Sequence, residues 1–154
     1  MGIADVRQFF QDHAPELEII ELQQSTATVE LAARAHGVAP GQIAKTLSLK
    51  AGEHVVLVVA SGDTRLDNRK LRQLFGGRPK MLPAVEVAAL TGHPVGGVCP
   101  FGLARPLPIY CDIRLQQYDV VMPAAGSLNS AVRIAPMHLA ELVGAQWVDA
   151  CQDA

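Results

Sequence analysis

Apolar positions along the chain recur with two periods, one of helices and one of strands. Helical spacing runs through residues 3–11, 29–35, 68–75, 84–90 and 137–143, and each stretch carries boundary residues of the right kind. Gly37 can end the second and Asp67 can cap the third, whose Leu71, Leu74 and Phe75 make a buried stripe closed by Gly76 and Gly77. Pro83 suits the first turn of the fourth, which Gly92 closes, and Pro136 opens the fifth ahead of Gly144. Extended spacing falls at 18–22, 42–50, 55–60, 109–112, 120–122, 131–134 and 146–148. The run 55–60 is apolar throughout, as in a strand covered on both faces, and Ala51-Gly52-Glu53 suits a tight hairpin into it. Strands joined by hairpins, alternating elsewhere with helices, predict an α+β fold with a mixed sheet.

The strand 42–50 holds one residue out of place. Ile43, Leu47 and Leu49 share one side of the period-2 pattern, and Lys45 shares it with them. Removing an ammonium from water costs several kcal/mol, roughly, unless an anion, a lone pair or a ligand compensates. Lys45 therefore either lines a pocket or lays its stem on apolar surface while its head reaches the rim.

A second unusual stretch is the loop 91–102, with four glycines and two prolines, which can form neither a regular helix nor a central strand. It lacks the Gly-Lys-Ser/Thr ending of a P-loop and the glycine spacing of a dinucleotide site. It offers backbone N–H groups that no side chain shields.

These segments carry a family resemblance. The Ile43-Ala44-Lys45-Thr46-Leu47 strand, the loop 91–102 with its Gly96-x-x-x-Pro100 core, and Ala125-Gly126-Ser127-Leu128-Asn129-Ser130 ahead of Ile134-Ala135-Pro136 together resemble the YbaK and prolyl-tRNA-synthetase-associated editing domain family. The likeness spans nearly the whole chain, in order. It implies an α+β domain around a bifurcated mixed β-sheet flanked by helices, and a free-standing hydrolase that removes wrongly attached amino acids from tRNA. It further implies a pocket where the Lys45 strand, the glycine loop and the Gly126 turn meet. Lys45, Gly96 and Gly97 are the catalytic candidates in that pocket, the lysine holding the acceptor end or polarising the ester and the glycines supplying an oxyanion hole. Thr46, Val98, Cys99, Pro100, Gly126, Ser127, Asn129 and Ser130 are the substrate-binding candidates. Family members commonly carry a histidine or an acid after the last glycine, where this chain has serine, leucine and asparagine, so the residue that selects the amino acid is left open. The substrate expected is a small amino acid, alanine or cysteine on tRNA-Pro or a serine- or threonine-charged tRNA, with prolyl-tRNA synthetase a candidate partner. The alternative is a non-catalytic RNA-binding or adaptor protein of the same fold.

Composition adds bounds. A chain of 154 residues, 49% of them hydrophobic, suits one domain spanning 1–154 with a filled core. No apolar run reaches the roughly 18 residues needed to cross a membrane and no leader pattern stands at the N-terminus, so the cytoplasm is expected. Cys99, Cys111 and Cys151 fit no zinc spacing and the five histidines form no H-x-x-x-H pair, so neither metal nor cofactor is expected. Cys99 has no recognisable histidine partner pattern for a thiol nucleophile, and Ser127 and Ser130 sit in no Gly-x-Ser-x-Gly elbow. The net charge is −2, yet 65–80 holds Arg65, Arg69, Lys70, Arg72, Arg78 and Lys80 against the single acid Asp67. Arg65, Arg69 and Arg72 follow i, i+4, i+7 spacing, which would align them on a helix face. With Lys70 they are the candidate tRNA contacts.

Overall fold

In the computed structural model, which describes residues 2–77 and 79–153, the chain opens with α1 (Ile3–His13), β1 (Ile19–Glu21) and α2 (Val29–His36). The two longest strands, β2 (Ile43–Ala51) and β3 (His54–Ser61), follow as a hairpin whose turn holds Gly52 at φ +63°, a left-handed value that glycine adopts without penalty. Next come β4 (Thr64–Leu66), α3 (Asn68–Phe75), β5 (Lys80–Met81) and α4 (Ala84–Thr91). Beyond the glycine-rich loop lie β6 (Ile109–Asp112), β7 (Met122–Pro123), β8 (Ser130–Val132), α5 (Pro136–Val143), β9 (Gln146–Val148) and β10 (Cys151–Asp153). The helix signals act as read: the Asp67 carboxylate accepts from the N–H groups of Arg69 and Lys70, and Gly37, Gly76, Gly92 and Gly144 end their helices in the left-handed region.

The main sheet has the order β5-β2-β3-β6-β9. β2 and β3 run antiparallel, while β3 with β6 and β6 with β9 run parallel, so the sheet is mixed. On its other edge β2 takes two partners in succession. β7 pairs parallel at Ile43 and Ala44, and β5 pairs antiparallel at Leu49 and Lys50. Residues 45–48 have no strand neighbour on that edge, so the sheet forks there. The Ser48 carbonyl, which accepts from Leu82 N–H at 3.1 Å, points to the forked side. By strand alternation the Thr46 main-chain groups point the same way, into the gap.

Alternation also divides the cores. One face buries Ala44, Leu57, Val59 and Cys111 against Val6 and Phe10 of α1, Phe101, and Leu139 and Ala140 of α5. The other buries Leu49, Val56, Val58 and Ala60 against Leu71 of α3 and Cys151. The expectation for 55–60 holds, since Val56 through Ala60 are all buried. No helix among the described residues is long and apolar enough to cross a membrane.

The sequence pattern misses β4, β5 and β10, and this changes the placement of Arg65. It belongs to β4, paired with Gln152 of β10, and not to α3, because the capping role of Asp67 fixes the helix start two residues later. Arg78 lies outside the described residues.

Candidate functional site

A cavity of about 250 Å³ occupies the fork. Lys45, Thr46 and Ser48 of β2 line it, with Met81 of β5 and Met122 of β7 marking the prongs. The glycine loop contributes Gly96 and Val98, and Ser130 enters from β8. Of the residues singled out from the sequence, the fold thus gathers Lys45, Thr46, Gly96, Val98 and Ser130 around one space. Gly97, Cys99, Pro100, Gly126, Ser127 and Asn129 are not among its lining residues.

Lys45 shares its strand face with Leu47 and Leu49, as alternation predicts, and is half-buried. Its Nζ donates to the Thr64 carbonyl and reaches the Gly62 carbonyl at 3.5 Å. The two readings of this lysine therefore meet in one residue: it stands at the cavity wall, and its head is held by carbonyls of the β3–β4 connection.

The glycine loop is docked on the turn that precedes β8. Gly126 N–H donates to the Gly97 carbonyl at 3.0 Å, and a Cβ on Gly97 would lie 2.7 Å from the Ser127 backbone. Gly97 N–H donates to the Pro94 carbonyl at 2.9 Å, so it closes a turn and does not face the cavity as an oxyanion donor. That corrects the placement expected for Gly97. Among the described residues, the N–H groups of Gly96 and Val98 have no such partner, and both residues line the cavity. Gly96 sits at φ +94° with its Cα facing Leu128 and Ala27, which seats the loop against the segment leading into α2.

The turn itself is self-satisfied. Ser127 Oγ donates to Asn129 Oδ1 at 3.0 Å and lies 2.5 Å from Ser130 Oγ, while the Asn129 amide donates to the Leu22 carbonyl at 2.6 Å. Ser127 and Asn129 thus shape the turn, and only Ser130 also reaches the cavity.

Cys99 is fully buried beneath the loop, 3.6 Å from His93 Nε2, which bonds the Phe101 carbonyl at 2.7 Å. Burial pushes the Cys99 thiol up to about 12, so at neutral pH it is a thiol and no nucleophile. His93 is held below its usual range, first by burial, and serves as a pin across the loop. Cys111 is raised to about 12 and Cys151 to about 11, again first by burial. Two results are expected. Iodoacetamide at pH 7 should label none of the three thiols until the protein is denatured. Stability should also fall as pH rises from about 9 towards about 12, because there the unfolded chain releases thiol protons that the folded one keeps. Rapid labelling of Cys99 in the native protein, or a flat alkaline limb in thermal melts, would contradict this burial.

The expected cationic ridge is smaller than its charge count. Lys70 Nζ bonds Asp149 at 2.9 Å and the Cys151 carbonyl at 2.7 Å, so it ties α3 to the segment entering β10. Arg69 and Arg72 are exposed on α3 and Arg65 is exposed on β4, none with a carboxylate partner among the described residues.

Sequence reasoning overlooked Ser48 and His36. Ser48 alternates with Thr46 on the face opposite Lys45, a signal that was present in the period-2 pattern. His36 enters the cavity from the last turn of α2, which only the packing of α2 beside β2 reveals.

Comparison with known proteins places this geometry. The profile described as the aminoacyl-tRNA editing domain matches residues 23–142. The uncharacterised protein YwhH of Bacillus subtilis is 44% identical over 155 residues, covering 99% of both chains. EbsC of Enterococcus faecalis, named provisionally as a Cys-tRNA(Pro)/Cys-tRNA(Cys) deacylase, is 30% identical over 79% of this chain and 76% of its own. A crystal structure described provisionally as a trans-editing enzyme for prolyl tRNA synthetase superposes with a TM-score of 0.91 at 36% identity, covering 97% of this chain and 96% of that one.

Proposed function

Because the chain belongs to the aminoacyl-tRNA editing domain family, we propose that it hydrolyses the ester of mischarged aminoacyl-tRNA, acting in trans on a small amino acid beside a prolyl-tRNA synthetase. The observation that carries this reading is the open cavity in the sheet fork, walled by Lys45, Gly96 and Val98, the last two with N–H groups that have no partner among the described residues. At about 250 Å³ it lies below the roughly 300–1,000 Å³ of sites for drug-sized ligands, which suits a small aminoacyl group. An adaptor without turnover has no need of an unfilled space at this position.

An aminoacyl ester is already activated relative to an amide, so orientation and charge stabilisation suffice. Water adds to the carbonyl carbon, and the carbonyl oxygen gains negative charge that the Gly96 and Val98 N–H groups and the Lys45 ammonium can stabilise. The ribose oxygen then leaves with a proton, giving free amino acid and uncharged tRNA. No side chain forms a covalent bond, in keeping with the fully buried Cys99. The test is a deacylation screen over tRNA-Pro and other tRNAs carrying alanine, cysteine, serine or threonine. Hydrolysis of at least one above the spontaneous rate is expected, and none would remove the proposal.

The exposed arginines supply a second check. Reversing Arg69 and Arg72 to glutamate should weaken tRNA binding and flatten the dependence of log K on log salt by about 2, while cleavage of a minimal aminoacyl-nucleoside changes little. Equal losses on both substrates would place the damage in the pocket and remove the ridge as a tRNA contact.

A further inference from the structure

The face of β2 opposite Lys45 carries two hydroxyls that none of the described residues satisfies. Thr46 Oγ1 and Ser48 Oγ are both buried without a hydrogen-bond partner among the described residues, and Ser48 is only 4% exposed. The two residues lie two apart on one strand, about 7 Å along the same face, and both line the cavity. Around them the wall is largely hydrocarbon, with Met81, Val87 and Val98. The Leu82 to Ser48 backbone bond of 3.1 Å seats Ser48 against the β5–α4 connection, at the prong of the fork.

Buried hydroxyls without partners destabilise a fold, and packing does not require these two. Ala44, two residues earlier on the same face, is buried as plain hydrocarbon. As they stand both oxygens are closed to solvent, and a turn of each side chain about χ1 toward the cavity lets water satisfy it in the free protein. A ligand that displaces such water must restore its hydrogen bonds or lose affinity.

We infer that Thr46 and Ser48 select the amino acid, and that the side chain they accept is a small one bearing a hydroxyl, serine or threonine, in preference to hydrocarbon side chains of the same size. The inference rests on the deacylase reading. A ligand hydroxyl donates one hydrogen bond and accepts others, and each protein hydroxyl can answer in either sense. Alanine or 2-aminobutyrate would expel the water and leave both groups unpaired. A site built to bond a substrate hydroxyl rejects the analogue lacking it far more strongly than an apolar pocket rejects one added methylene. The α-ammonium group cannot give this preference, because every aminoacyl ester carries it.

Matched pairs test the idea: kcat/KM on tRNA-Pro charged with serine against alanine, and with threonine against 2-aminobutyrate. The hydroxyl member should be favoured by about 10²-fold or more in each pair. The double variant Thr46→Val with Ser48→Ala should bring each ratio below about tenfold, whereas Thr46→Ser with Ser48→Thr should keep the preference. Circular dichroism checks that the variants are folded, and Ser48→Ala alone gives the same ratio readout if the double variant does not fold. Equal rates within the pairs, or ratios unchanged in the double variant, overturn the inference and leave the deacylase reading standing. No hydrolysis of any of the four overturns the inference, and it overturns the deacylase reading as well only if no ester in the wider screen is hydrolysed.

Discussion

Lys45→Ala is expected to remain folded and to lose about 10²-fold or more in kcat/KM on a mischarged tRNA, the equivalent of roughly 2.7 kcal/mol of transition-state stabilisation. Lys45 brings a cation to the wall of a cavity whose lining is otherwise neutral apart from His36, itself held below its usual range by burial and by Arg133. From that wall the charge can act on a developing oxyanion or a nearby phosphate. The same ammonium donates to the Gly62 and Thr64 carbonyls, so its removal also loosens the β3–β4 connection. That structural loss is about 1 kcal/mol, or a fall of roughly 2–4 °C in Tm for a chain of this size. The two effects are separable because the second is far too small to account for the first. Lys45→Met keeps the stem packed on Leu47 and Leu49's face and should show the same activity loss with a smaller change in Tm. Turnover within a few-fold of the parent in either folded variant would remove Lys45 from the chemistry.

Much of this fold can be read before folding, and the limits of that reading are physical. The hairpin of β2 and β3 and the whole of α3 are legible because each carries its own instructions: alternation with a turn glycine in one, an Asp67 cap and a left-handed Gly76 in the other. The strands β4, β5 and β10, two or three residues long, lie outside the apolar runs and form where a distant partner meets them. One of these, β5, makes the fork together with β7, which lies at the end of the run read at 120–122. Residue patterning thus names the loop and the Lys45 strand, whereas the forked sheet and the pocket where they meet come only through the family resemblance. Arg65 shows the same limit, since helical spacing placed it with Arg69 and Arg72, but pairing with Gln152 holds it in a strand. Glycines mislead in a third way. Gly96 and Gly97 look equivalent as small residues, yet one lines the cavity and the other bears on the backbone of the neighbouring turn.

Gly97→Ala should therefore lower both stability and activity, and for a reason that differs from the ordinary cost of replacing glycine. The added Cβ would stand 2.7 Å from the N, C and O atoms of Ser127, and backbone cannot rotate away as a side-chain tip can. Either the loop or the turn must move, which breaks the Gly126 to Gly97 hydrogen bond and costs about 1–3 kcal/mol as overpacking does elsewhere. The displaced loop carries Gly96 and Val98 with it, and a shift of about 1 Å in groups that orient a reacting ester lowers the rate by about 10²-fold. Gly52→Ala is the control: unlike Gly97, Gly52 has a positive φ, +63°, but a Cβ there meets nothing within 4 Å and lies in the hairpin turn away from the fork. It should lose only the backbone term of about 1 kcal/mol and keep its deacylation rate. Thermal melts and kcat/KM on the same charged tRNA read both quantities for the pair. A Gly97→Ala protein with the parent's Tm and full activity would mean that the glycine loop does not bear on Ser127, and the wall it builds around the cavity would have to be redrawn.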